Sequence, residues 1–134
     1  MPKDVNMFAV LVAAVSTFIL GGLWYSPLLF GRAWQKEVGL SDEQMRTANA
    51  PKTFGFSFLF SVLMAANLAA FLADPKTNTA WGATAGFLAG FGWVALGLGI
   101  IALFEQKSWK YVAINGGYMT LAFVMMGAII GAWR

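Results

Sequence analysis

The chain has 134 residues, of which 59 % are apolar and 11 % charged, with a net charge of +3; an ordinary soluble domain carries charge on about a quarter of its residues. Histidine and cysteine are both absent, which excludes His or Cys metal sites, disulfides, thiolate chemistry and the usual general base. So little charge cannot cover the surface of a soluble domain of this size, and the composition is that of an integral membrane protein.

The charges sit in a few short places. None occurs in residues 5–31, 53–73, 77–104 or 111–133. A spanning helix needs about 20 mostly apolar residues to cross ~30 Å of hydrocarbon, so each window holds one crossing and none holds two. Strands of a membrane barrel would alternate strictly. The run Val10-Leu11-Val12-Ala13-Ala14-Val15 does not. The expected fold is an all-α, integral membrane four-helix bundle in a single domain. Its helices run over about 5–25, 53–73, 79–104 and 111–133, with an interfacial loop over 26–52.

In the first helix, Lys3 precedes the apolar stretch as in the n-region of a secretory signal. The stretch is longer than a signal and ends in Leu23-Trp24-Tyr25 rather than in small residues, so no cleaved signal is expected. Ser26-Pro27 then stops the helix. In the first loop Leu28, Leu29, Phe30, Trp34 and Val38 alternate with Arg32, Gln35, Lys36 and Glu37. This spacing predicts a short amphipathic helix in the headgroup plane, its basic side toward anionic lipid, ended by Gly39. Ser41-Asp42-Glu43-Gln44 matches a capping box and opens a second short helix that stops before Pro51. The loop reads as a lipid-resting linker, with a partner-docking surface or a lid as the functional alternative.

Six of the nine Lys and Arg lie in the first and third loops (Arg32, Lys36, Arg46, Lys52, Lys107, Lys110). Lys3, Lys76 and Arg134 lie on the other side. The excess places loops one and three in the cytoplasm and both termini outside. Trp24, Tyr25, Trp109 and Tyr111 mark one interface, and Trp81 and Trp133 the other. Trp93 falls near the middle of the third helix. It reads as packed in the bundle or facing lipid, with ligand stacking as the alternative, and inside a protein its indole N–H needs a partner.

Burial alone does not join helices in lipid; small residues do, by letting backbones approach. Each helix carries a row of them at four-residue spacing, hence on one face. The rows are Ala9, Ala13, Thr17, Gly21; Ser57, Ser61, Ala65, Ala69, Ala73; Gly82, Gly86, Gly90; and Ala113, Gly117 followed by Gly127, Gly131. They pack helices within a subunit or between subunits, and their number leads us to expect a homo-oligomer.

No charged residue lies deep in a helix: Asp4, Asp74 and Glu105 stand at helix ends. A proton-driven antiporter needs a deep carboxylate, so that class is not expected. Asn67, midway along the second helix, reads as an interhelical clamp or a pore-lining group. Ser61 and Thr120 can line a polar path, although Ser in a helix also bonds its own i−4 carbonyl. Asn115-Gly116-Gly117 can unwind to bind an ion, or simply pack closely. Met64, Met119, Met125 and Met126 read as apolar filling rather than a copper site. No cofactor, metal site or nucleic-acid face is expected.

Two stretches carry a resemblance. The first is Leu23-Trp24-Tyr25-Ser26-Pro27-Leu28-Leu29-Phe30-Gly31-Arg32-Ala33-Trp34. The second comprises Leu103-Phe104-Glu105, Ile114-Asn115-Gly116-Gly117-Tyr118, and Met126-Gly127-Ala128-Ile129-Ile130-Gly131-Ala132-Trp133. Both resemble the bacterial membrane proteins of the domain of unknown function 1761 family, in the same order and over nearly the whole chain. The resemblance implies a four-helix integral membrane protein and supplies no reaction. A His often follows the Gly-Tyr in that family; here Met119 stands there. The reading that results is a non-enzymatic, self-associating structural or accessory protein of a bacterial inner membrane, with a larger membrane complex as a further partner. Its alternative is a channel or carrier for a small neutral solute at a subunit interface, with a membrane-embedded enzyme third.

Overall fold

The computed structural model describes residues 5–133. Lys3, Asp4 and Arg134, used above for helix ends and orientation, lie outside them. Among the described residues there is no strand, and four helical spans are long and apolar enough to cross a membrane.

The first span, α1 (Met7–Trp24), opens on Asn6, whose side-chain oxygen accepts from the backbone N–H of Phe8 and Ala9. This satisfies two of the donors a helix N-terminus leaves over. After Ser26-Pro27 the chain makes one tight turn and enters α2 (Gly31–Val38). Gly31 is required there, since a Cβ would overlap the Tyr25 carbonyl oxygen. The short helix therefore starts at Gly31, and Leu28, Leu29 and Phe30 belong to the turn before it. Gly39 ends it with φ +74, a left-handed conformation open to glycine.

The short helix α3 (Asp42–Thr47) carries both halves of the expected box. The Gln44 N–H donates to the Ser41 hydroxyl, and the Ser41 N–H donates to the Gln44 side chain. Gln35 closes the corner between α2 and α3 by donating to the Leu40 carbonyl and to Asp42 at 2.8 Å.

The second span, α4 (Ala50–Phe71), starts three residues before the charge-free window. Asn49 caps it, and Pro51 sits in its first turn, where a missing N–H costs nothing. The third span begins as α5 (Thr79–Ala89), capped by Asn78. It loosens into a π-helical stretch (Gly90–Ala95) and returns to α-helix as α6 (Leu96–Phe104). The regular helix expected over 79–104 is thus interrupted at mid-depth. The fourth span, α7 (Trp109–Ala132), starts at Ser108, whose hydroxyl accepts from the Tyr111 N–H.

Helix α7 is the centre of the arrangement. The third span packs along one side of it and α1 along another, and α4 packs on α1. Where α1, α4 and α7 meet, Val10, Ala13, Ala65, Leu68, Ala69, Leu72, Phe123, Met126 and Ile130 form the core. The first half of α4 stands away: from Ala50 to Phe60 every residue but Phe58 is exposed. Phe18 reaches it with edge-on contacts to Phe54 and Phe58. Loops one and three share an end of the molecule, where the Ser108 hydroxyl donates to the Glu37 carboxylate. At the other end Asn6 donates to the Trp133 carbonyl. That pairing of ends is what four crossings require.

Candidate functional site

Two constructions hold α7 in place, and a groove lies between them. The first is a seam of glycine. Gly82, Gly86 and Gly90 are buried on one face of the third span, and Gly127 and Gly131 are buried on α7. The backbones touch. A Cβ on Gly82 would overlap the Gly127 carbonyl oxygen, and one on Gly127 would overlap that of Gly82. One on Gly86 would overlap the Phe123 carbonyl oxygen, and one on Gly131 that of Asn78. At each site a Cα hydrogen points at a carbonyl across the seam, the geometry of a Cα–H···O contact. At Gly90 a Cβ would stand 2.7 Å from the Phe123 Cβ. The glycine rows of spans three and four therefore face each other within one chain.

The row on α1 divides its contacts. Ala13 is fully buried in the three-helix core. Thr17 is buried, and its carbonyl accepts from the Tyr118 hydroxyl at 3.0 Å. Gly21 leaves room for the same ring: a Cβ there would lie 3.3 Å from the Tyr118 hydroxyl oxygen.

The second construction is a polar latch at the end of α1. The Trp24 indole N–H donates to the Ile114 carbonyl at 2.9 Å. The Tyr25 hydroxyl donates to the Asn115 side-chain oxygen at 2.7 Å, and the Asn115 amide donates to the Tyr111 carbonyl. The Trp24 ring rests over Gly117, where a Cβ would lie 3.1 Å from it. Tyr25 meets Tyr118 and Trp34 edge-on, and Trp24 meets Phe30. Trp34 brings α2 into the latch. Burial, with Tyr118 and Tyr111 nearby, pushes the Tyr25 phenol above its ordinary range. Asn115-Gly116-Gly117 stays helical within α7 rather than unwinding. Its glycines admit the indole on one side and Ala95 on the other.

Between the third span and α7 runs a groove of about 510 Å³, lined by Phe87, Phe91, Leu96, Gly116, Gly117 and Thr120 among others. Phe87 and Phe91 stack at its wall, with ring centroids 5.5 Å apart. Thr120 is the polar side chain in the lining, and its hydroxyl donates to the Gly116 carbonyl at 2.8 Å. The groove is therefore apolar, and the π-helical stretch forms part of its wall through Phe91 and Ala95. Such stretches recur at functional sites.

The four residues expected around one polar path do not converge. Thr120 lines the groove, and Asn115 is held in the latch. Ser61 and Asn67 lie on α4, whose main packing partner is α1. The Ser61 hydroxyl donates to the Ser57 carbonyl of its own helix at 2.9 Å. Asn67 is exposed and makes no side-chain hydrogen bond among the described residues, so it clamps no helix within the chain. It also lies one turn from the end of α4 rather than midway, because the helix starts earlier and stops at Phe71. Trp93 points outward at 72 % exposure, and its indole N–H has no partner among the described residues. Met119 packs against the three-helix core. Among the described residues no three Asp or Glu come together.

The latch is not legible in the sequence. Trp24 and Tyr25 read as interface markers and Asn115 as a possible ion ligand, and nothing in their spacing joins residues 90 positions apart. The available signal was that both belong to the stretches most characteristic of the resemblance.

No curated protein and no solved structure matches the chain. A family described as protein of unknown function, DUF1761, matches residues 8–131, from the second residue of α1 to the last turn of α7. This range takes in the glycine seam, the latch and the groove, and the chain belongs to the DUF1761 family.

Proposed function

We propose that the protein is a non-enzymatic, self-associating structural or accessory protein of a bacterial inner membrane, with both termini outside. The observation that carries this reading is the outward face of the peripheral spans. On α4, Phe56, Phe60, Leu63 and Phe71 are exposed around Asn67, an amide without a partner among the described residues. Lipid chains cover the apolar side chains but offer no hydrogen bond, so an amide at hydrocarbon depth favours a neighbouring protein. The interior, by contrast, is closed by backbone contact along Gly82, Gly86, Gly127 and Gly131. The α2–α3 loop, tied down through Gln35, Glu37 and Trp34, gives the assembly a shaped face at the membrane surface.

A channel or carrier for a small neutral solute is the second reading, and it draws on the groove beside Thr120. The two separate in one preparation. Native mass spectrometry from nanodiscs is expected to show more than one copy per particle. Liposomes containing the protein are expected to pass glycerol, urea and small sugars no faster than protein-free liposomes. A single copy per particle overturns self-association, and flux of any of these solutes overturns the structural reading in favour of the carrier.

A further inference from the structure

Resting on the self-association reading, we infer that the partner of α4 is α4 of a second copy, paired in parallel about a twofold axis with Asn67 meeting Asn67. Four observations on this helix combine. First, Phe56, Phe60, Leu63, Asn67 and Ala70 are all exposed. Their spacing of four, three, four and three residues is the 3.5-residue period of a left-handed helix pair. Second, the opposite face is already used: Ala65, Leu68 and Ala69 are buried in the core.

Third, the amide is self-complementary. Asparagine carries donors and an acceptor on one group, so two copies about a twofold axis satisfy each other reciprocally. A side chain in a helix leans toward the helix N-terminus, which here directs Asn67 away from the nearer end of α4 and into the hydrocarbon. Water and headgroups at that end are the competing partners, and the lean works against both.

Fourth, depth selects the partner. Copies in one membrane are related by axes along its normal, so every residue keeps its own depth. Two indoles on the third span also lack a partner among the described residues: Trp81, two residues from the span's end at Thr79 and served there by interfacial water and headgroups, and Trp93. Asn67 lies four residues from the end of α4 at Phe71, and Trp93 lies fourteen residues from the neighbouring end of the third span at Thr79. At 1.5 Å per residue these are depths of about 6 Å and 21 Å. The short amide cannot reach Trp93 of a neighbour, and it meets its own counterpart without adjustment. Ser61 offers nothing in its place, since its hydroxyl is turned back onto Ser57.

The chain contains no cysteine, so single introduced thiols report contacts between copies without background. Phe60→Cys, Leu63→Cys and Ala70→Cys are expected to form disulfide-linked dimers on mild oxidation in native membranes. Phe58→Cys and Leu68→Cys, on the face toward α1, are expected to give at least tenfold less. Adding Asn67→Leu to Leu63→Cys is expected to cut the linked fraction several-fold, and adding Asn67→Gln to retain most of it. Linkage at all five positions alike, or linkage at Leu63→Cys indifferent to Asn67→Leu, overturns the inference. A wild-type chain that is oligomeric by native mass spectrometry while these thiols stay unlinked sinks this pairing alone. A monomeric wild-type chain sinks the self-association reading with it.

Discussion

Replacing Gly86 by alanine is expected to lower the stability of the folded protein in detergent or bicelles by about 1–3 kcal/mol, the range for forcing a methyl group into packed space. Gly86→Leu is expected to separate the third and fourth spans altogether. The reason is the identity of the obstacle. The new Cβ would overlap the Phe123 carbonyl oxygen, and backbone cannot rotate away as a flexible side chain can. The helices must move apart along the whole seam, which loosens Gly82 against Gly127 and Gly131 against Asn78 as well. In lipid this matters more than in water. Helices there are held by close packing and weak hydrogen bonds rather than by burial of apolar surface, so distance is most of the attraction. Gly92 and Gly97, on the same span, have open space where a Cβ would go. Gly92→Ala and Gly97→Ala are expected to stay within about 0.5 kcal/mol of the parent, as ordinary surface substitutions do. Thermal midpoints followed by tryptophan fluorescence compare the four variants directly. Equal midpoints for Gly86→Ala and Gly92→Ala would contradict the seam.

Trp24→Ala is expected to cost roughly 3 kcal/mol, the low end of the range for removing a tryptophan from packed surroundings. Three contacts leave together: the indole hydrogen bond to Ile114, the ring over Gly117, and the contact with Phe30. Trp24→Phe separates these contributions. It keeps a ring over Gly117 and removes the N–H, and a loss of about 1 kcal/mol is expected, that of one ordinary hydrogen bond. The consequence reaches beyond the span. With the latch open, Tyr25 and Trp34 lose their setting, and α2 is no longer held against α7. Limited trypsin digestion reads this, because Arg32 and Lys36 lie on α2. Cleavage there is expected to accelerate in Trp24→Ala and to remain near the parent rate in Trp24→Phe. Protection unchanged in Trp24→Ala would mean that α2 is held by Glu37 and Ser108 without the latch.

Much of this architecture was legible in the chain because hydropathy and charge act locally. The four crossings, the stop at Ser26-Pro27, the left-handed Gly39 and the Ser41–Gln44 box all rest on residues within a few positions of one another. The charge-free windows open at 53 and 111, three and two residues inside helices that start at Ala50 and Trp109, because Lys52 and Lys110 lie within the first turns. The caps at Asn49 and Ser108 set the true starts, and a lysine stem lets a charge sit inside a helix end while its head stays in water. The π-helical stretch was not legible, since the α-helical period runs unbroken through residues 90–95.

Partner choice was the harder question. Small residues four apart say that a face is sticky, and they carry no address. The rows on spans three and four suit contact within a subunit or between subunits alike, and they meet each other inside one chain. Asn67 shows the complementary limit. Composition marks it as a polar group in an apolar helix, but which way it points depends on the phase set by Ala65, Leu68 and Ala69 against α1 and α7. The latch was out of reach for a third reason: it is a set of hydrogen bonds between distant segments, and each participant alone looks like an interface aromatic or a helix-breaking glycine.

The account rests on four crossings that place loops one and three on one side of a membrane and loop two on the other. Single-cysteine variants at the loop positions Glu43→Cys, Lys76→Cys and Lys107→Cys, labelled with a membrane-impermeant maleimide in sealed right-side-out cells and in inverted vesicles, test this most directly. The account predicts that the thiols at positions 43 and 107 react only in inverted vesicles and the thiol at position 76 only in intact cells. Reaction of positions 43 and 76 from the same side would contradict it.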